Sequence, residues 1–485
     1  MNDTTLIISG ATVVCEHTVL PDHDVFVRNG KIAAIRPSSG AFIQGENDGT
    51  ALLEDAEMHL LAGAEIPSSS ATESAGGGFD EVLLGSMPTI VDARGAYVIP
   101  GLIDVHSDYI ETVASPRPSA IMDLPTSLLR AERELVAHGV TTIFHSLSVY
   151  QTSIFDHKPI RNFENVAKLI KGVEDLRRGE EFDHLIRHRL HLRIEIDSVD
   201  RYEAVKAYVD EGRVDMVSFM DHTPGQGQYA DLAMFGSTLK GYRDVSDEHI
   251  ADIIAAQQAS DKLTLAQMVE VARLARKHGI AIASHDDDSI EKLDCMESCN
   301  AAISEFPITM DIAHDARRRG MHTLAGAPNV VMGKSHSGNL SAREAVKEGA
   351  IDMLCSDYYP AALLQAVFLL HHACDIDLND AVAFATANPA KAAGLFNEVG
   401  SIAVGKRADI LVVRELPVVG TTEVPTNPVV TQAYVAGRLV YGSRYPMFAD
   451  EYSDSHLAID RLAQEQYVLS DERVQADAER VQVIR

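Results

Sequence analysis

Basic residues are the scarce class in this chain: 42 Lys and Arg stand against 71 Asp and Glu in 485 residues, a formal net charge of −29. So acidic a surface repels a phosphate backbone or an anionic lipid face, which excludes nucleic acid and membrane as expected partners. Cysteine is scarce too. Five in so long a chain, an odd number, do not make a disulfide framework. No apolar run reaches the roughly 18 residues that a spanning helix needs. Residues Met1 to Gly10 also lack the basic-then-apolar order of a secretory leader. The expectation is an acidic cytoplasmic protein. Apolar residues make up 46% of it, enough for a sizeable core.

The two ends share a texture. Leu6 to Val14, Val25 to Val27 and Lys31 to Ile35 are short β-rich runs, the last two joined by Arg28-Asn29-Gly30, a hairpin spelling. Residues 400–413 and 429–441 repeat the pattern, punctuated by Gly400, Gly405 and Gly437. One small β-sandwich built from 1–98 and 395–449 is expected. A Ser-, Gly- and Ala-rich insertion over 37–90 has little to bury, and 450–485 is expected to be an exposed helical tail.

Between the ends, β-type runs alternate with helical stretches over 99–394. The expected strands are 99–106, 139–146, 191–197, 216–222, 280–286, 301–307, 322–328 and 351–357. Thr264 with Gln267, and Ser341 with Glu344, spell capping boxes before helices that end at Gly279 and Gly349. Eight such repeats predict a (β/α)8 TIM barrel rather than a doubly wound sheet, since no Gly-rich phosphate fingerprint follows any strand.

In a barrel, chemistry sits where strands end. Here those ends carry His106, Ser107 and Asp108; Glu195 and Asp197; Asp221 and His222; His285 with Asp286, Asp287 and Asp288; Glu305; and Asp357. Imidazoles and carboxylates converging from several strands are what a divalent metal needs. His106 and Asp108, two apart on an extended segment, point to one side and can share an ion. Singly, each has a plainer reading, and the Asp286–Asp288 run is by itself a solvated loop or a helix start favoured by the dipole.

The segments VIPGLIDVHSD (98–108), VFVRNGKIAAI (25–35) and GSIAVGKRADILVV (400–413) resemble the amidohydrolase superfamily. SPRP (115–118), HLRIEI (191–196), MDHTPGQ (220–226), ASHDD (283–287), SEFP (304–307), GAPNVVMGKSHSGN (326–339) and SDYYPAALLQA (356–366) resemble its PhnM family of phosphonate metabolism. That family hydrolyses α-D-ribose 1-methylphosphonate 5-triphosphate to the 5-phosphate and pyrophosphate. The resemblance implies two divalent ions, Zn²⁺ first and Mn²⁺ second, and attack by a metal-bridging hydroxide. It implies His106 and Asp108 as ligands of one ion, His222 and His285 of the other, and Glu195 as the bridge, with Asp197 its local competitor. Asp357 would be both a ligand and the catalytic residue that manages the water's proton.

Arg117, Lys334 and His336 are the cations expected to meet a phosphorylated substrate. The expected partner is that small molecule, and a homo-oligomer, a dimer first, is the expected assembly. Tyr109, His145 and the segment after Pro118 depart from the family pattern, as does the absence of tryptophan. Two other functions compete. A sibling could cut a C–N bond with the same site, as a deacetylase or cyclic amidase, and a barrel of this kind could serve only as a binding scaffold.

Overall fold

A computed structural model describes residues 5–39, 88–117, 120–149, 159–178, 184–229, 231–242, 245–333, 340–418 and 426–445. Most of the 37–90 stretch, all of the 450–485 tail, Lys334 and His336 lie outside the described residues. Among the described residues no helix is long and apolar enough to cross a membrane.

Both chain ends build one sheet. Strands β1 (Thr5–Val14), β2 (Val19–Arg28), β3 (Lys31–Pro37), β4 (Thr89–Asp92) and β5 (Tyr97–Pro100) come from the front of the chain. After the barrel strands β6 to β13 come β14 (Ile410–Pro417), β15 (Thr426–Val435) and β16 (Arg438–Gly442). The order is β16-β15-β14-β5-β1-β2-β3, with β4 also on β1. The two halves join where β5 and β14 run antiparallel, Ile99 opposite Leu411. Asn29 and Gly30 both have positive φ, 52° and 75°, as the two-residue turn their spelling predicts requires. A Cβ on Gly30 would stand 2.8 Å from the Ala436 carbonyl oxygen, so the β2–β3 turn seats directly on the β15–β16 turn.

The barrel strands are β6 (Leu102–Ser107), β7 (Val140–Val149), β8 (Arg187–Glu195), β9 (Met216–Met220), β10 (Ala281–His285), β11 (Ile303–Glu305), β12 (His322–Gly326) and β13 (Met353–Cys355). They pair in sequence order, each parallel to the next. A parallel bridge from Ser107 to Asp357 closes the ring. The expected first strand, 99–106, is divided: its start belongs to the end sheet and its remainder to the barrel. Gly101 makes the break, and a Cβ there would lie 2.2 Å from Thr141 Oγ1 of β7.

Ile103, Val105, Phe144, Met216, Ala283, Ile303, Leu324 and Met353 fill the barrel. A second layer packs the outer strand faces, such as Leu190, Leu192 and Ile194, against the surrounding helices, and it takes in Leu411, Val430 and Ala433 of the end sheet. Each such side chain contributes about 1.5–3 kcal/mol on burial. The helix Leu265–Lys277 begins at Thr264 with both capping-box bonds formed. At Ser341 the same spelling forms no side-chain cap bond.

Candidate metal centre at the barrel mouth

Glu305, fully buried at the end of β11, organises the floor of the mouth. Its Oε1 is 3.0 Å from His106 Nδ1 and its Oε2 3.1 Å from His285 Nδ1. A carboxylate only accepts, so both imidazoles donate from Nδ1 and keep a lone pair on Nε2. The two rings stack at 5.3 Å and 20°, which sends both Nε2 atoms away from Glu305 on the same side. Phe306 meets both rings edge-on, at 5.0 and 5.2 Å. Burial, with Arg193 adding to it, holds both imidazoles well below their ordinary pKa and therefore neutral, the form that ligates. Burial also pushes Glu305 up to about 7, with His191 and Arg193 pulling the other way. His191 sits between Ser146 Oγ at 3.1 Å and Ser218 Oγ at 2.8 Å, so its donor atom also stands near Glu305 and His106.

A second group stands one strand along. His222 Nδ1 donates to Glu195 Oε1 at 2.8 Å. Its Nε2 lies 3.8 Å from Asp286 Oδ2, and His285 Nε2 lies 3.7 Å from the same oxygen. That oxygen is buried and makes no hydrogen bond. Two imidazole nitrogens and a carboxylate oxygen, all within 4.8 Å of one another, fit a divalent ion of the zinc type. The separations are a little wider than the edge of about 3.3 Å that bonds of 2.0–2.1 Å give a tetrahedral site. Glu195 and Glu305 accept from the Nδ1 atoms of these imidazoles, as carboxylates that orient metal-binding histidines do.

The local fold explains the aim of Asp286. It follows β10 with φ 52°, in the left-handed region that Asp tolerates better than most residues. Lys292 Nζ holds the turn by donating to the carbonyls of His285 at 2.6 Å and Asp286 at 3.0 Å. The acidic run that reads as a solvated loop is instead divided among three tasks. Asp286 faces the imidazoles, Asp287 is buried against the hydroxyls of Ser284 and Ser304, and Asp288 accepts from Gly227 N at 2.7 Å.

Asp357 lies at the closure of the ring. Its N–H donates to the His106 carbonyl at 3.1 Å and its own carbonyl accepts from Asp108 N at 3.0 Å. Its φ is 56°, and burial together with the charge of Asp108 pushes its carboxyl well up. Asp108 faces cations: its Oδ2 is 3.5 Å from Arg161 and 3.9 Å from Arg193. Arg193, buried on β8, also donates to Met220 Sδ at 3.1 Å, and Arg161 grips Glu111 at 2.8 Å. Glu195, expected as a bridge between two ions, is engaged by His222, while its competitor Asp197 has a buried Oδ1 without a hydrogen bond.

The structure thus brings His106, Asp108, Glu195, His222, His285 and Asp357 to one mouth. Arg117 is exposed, at a small bridge to Ala120. Asp286 and Glu305, which the sequence reading notes at strand ends without a role, and His191 and Arg193, which it does not single out, are further participants. The signal for the last two was present: 191, 193 and 195 alternate along one strand and share the face of Glu195.

Known proteins carry the same organisation. The Amidohydrolase family pattern matches residues 97–440. The α-D-ribose 1-methylphosphonate 5-triphosphate diphosphatase of Escherichia coli K12 is 33% identical over 329 residues, 67% of this chain and 85% of that protein. Adenine deaminase of Paracoccus denitrificans is 24% identical over 445 residues, covering 89% of this chain and 57% of that one. In fold, dihydropyrimidinase of Brevibacillus agri superposes with a TM-score of 0.55 at 13% identity, over 90% of this chain and 95% of that one. Molinate hydrolase does so with 0.54 at 15% identity, over 90% and 95%. A ring of eight strands with imidazoles and carboxylates at its mouth, a sheet made from both chain ends, and a family pattern spanning both place this chain in the amidohydrolase family, as a hydrolase.

Proposed function

We propose that this hydrolase cleaves α-D-ribose 1-methylphosphonate 5-triphosphate to the 5-phosphate and pyrophosphate. The likeness to the Escherichia coli diphosphatase, 33% identical over 85% of its length, carries the reading. Arg193 and Arg161 support it, because a polyphosphate needs local positive charge in a chain of net charge −29.

His222, His285 and Asp286 would hold one ion, and His106 with Asp108 and Asp357 would be the set for a second, Zn²⁺ before Mn²⁺. When bound, such ions polarise the phosphoryl oxygens and make a water nucleophilic near neutral pH. The chain's own residues do the rest. Glu305 and Glu195 fix the imidazole orientations. The guanidiniums of Arg193 and Arg161 attract and align the triphosphate. An Asp357 carboxylate oxygen takes the proton of the attacking water as its oxygen bonds to phosphorus. The α–β P–O bond breaks, and pyrophosphate leaves with the electron pair.

The test is pyrophosphate release from this triphosphate by metal-loaded protein, with a chelated control. Chelator-sensitive release supports the reading. No release, alongside hydrolysis of cyclic amides or N-acetyl compounds, overturns it in favour of C–N chemistry. Asp357→Asn is expected to lower turnover by a factor on the order of 10²–10⁴ while the ion at His222, His285 and Asp286 is retained. An active Asp357→Asn removes the role assigned to that residue.

A further inference from the structure

A separate cluster lies on the outer wall of the barrel. Along β7, Phe144 faces the barrel interior and Ser146 reaches inward to His191, so His145 between them faces out. On β8, His188 shares the parity of Leu190 and Leu192, which pack in the outer layer. The helix Leu124–Ala137 lies over this wall and lowers Glu132 onto it, and His184 approaches from the segment just before β8. Glu132, His145 and His188 are buried.

The distances are those of a ligand set. Glu132 Oε2 is 3.2 Å from His188 Nε2 and 3.7 Å from His184 Nδ1, and the three donor groups lie within 4.8 Å of one another. These two separations bracket the edge of about 3.3 Å expected between neighbouring ligands of a tetrahedral zinc ion. His188 Nδ1 is 2.9 Å from His145 Nε2, so a second imidazole can accept its proton and fix the tautomer that leaves Nε2 free. Leu185 N donates to Glu132 Oε2 at 3.1 Å and holds the carboxylate in place.

A hydrogen-bonded chain from His145 through His188 to Glu132 would account for those three residues without a metal. It does not account for His184 Nδ1, which is buried, turned toward Glu132 and makes no hydrogen bond. Leaving a buried polar atom unpartnered is unfavourable. An ion at the centre of the cluster removes that cost and uses all three donors. The His184 side chain is 17% exposed, so water can reach the cluster from that side.

We propose that Glu132, His184 and His188 form a divalent metal site, zinc first, that fastens the helix Leu124–Ala137 to the barrel wall independently of the mouth. The expected role is structural, since an ion that binds only the folded chain stabilises it.

The test compares the full chain with His184→Ala, a change that removes a donor but no hydrogen bond. Zinc bound per chain is measured across buffered free Zn²⁺ up to the micromolar range. The unaltered chain should hold one more zinc than His184→Ala, and added Zn²⁺ should raise its Tm by more, while catalytic turnover stays the same in both. Equal zinc counts at every free concentration overturn the proposal. A second measurement leaves position 184 intact. With the mouth disabled by Asp286→Asn, His222→Asn and His106→Asn, Co²⁺ titration should still produce the visible absorption of a tetrahedral site, one ion per chain. No such band overturns the proposal. Neither readout depends on whether pyrophosphate is released.

Discussion

Glu305→Gln separates two things that the buried carboxylate does. Each of its oxygens serves a different imidazole, at 3.0 Å and 3.1 Å. Glutamine keeps the shape but offers one acceptor, and its NH₂ cannot accept an Nδ1–H. Either His106 or His285 must then lose its orienting bond or move its proton to Nε2, which removes the lone pair a metal needs. Loss of such an orienting partner costs 10–100-fold in metal affinity, about 1.4–2.7 kcal/mol. Without metal the same change should help, because burial already pushes Glu305 up to about 7 and an ionised carboxylate there is unfavourable. At about pH 8, therefore, the metal-free Tm of Glu305→Gln should equal or exceed that of the unaltered chain, while its affinity in a chelator competition falls. Glu195→Gln is the control. His222 uses only one oxygen of Glu195, so the amide can turn its carbonyl to His222 and the affinity should change little. If Glu305→Gln binds metal as well as the unaltered chain, or if Glu195→Gln is equally damaging, the orienting argument fails.

The metal-free chain should lose stability as pH rises from about 6.5 to about 8. Burial lifts Glu305 to about 7 and raises Asp357, and the Glu195 and Asp286 charges raise His222 against its own desolvation. Groups whose folded pKa is raised favour folding in their protonated form and lose that contribution as pH climbs through the folded value. Urea midpoints that increase over this window in chelated protein would contradict the assignment. Gly101→Ala should cost about 1–3 kcal/mol or more, because its Cβ would stand 2.2 Å from Thr141 Oγ1 between two packed strands. An unchanged denaturation midpoint would show that β7 yields there. Arg193→Met should lower kcat/KM on the triphosphate by a factor on the order of 10²–10³, with Arg193→Lys recovering part of it. Near-normal turnover in the Met variant would take Arg193 out of substrate binding.

The strands were readable because alternation and apolar run length are local properties, and each of the eight expected barrel segments overlaps a barrel strand, although β7 and β8 run several residues beyond the expected bounds. Local pattern also carried Asn29-Gly30 and the Thr264–Gln267 cap, where the determining groups are neighbours in the chain. The centre of the site was harder for a physical reason. Alternation says which side chains point into the barrel, but not which of them meet across it. Glu305 joins His106 from β6 to His285 from β10, and that pairing exists only once the ring has closed through Ser107 and Asp357. Asp286 was hidden differently. Its place among the imidazoles depends on a positive φ just past the end of β10, and a run of three aspartates spells a helix start as readily as a turn into the barrel. Only Lys292, holding the two carbonyls around that turn, distinguishes the two, and its partners are backbone atoms that no spacing of side chains announces. Sequence pattern therefore identifies the strand ends that carry the candidate site, while the positions of Glu305, Asp286 and Arg193 in it emerge from closure and from the sign of a backbone angle.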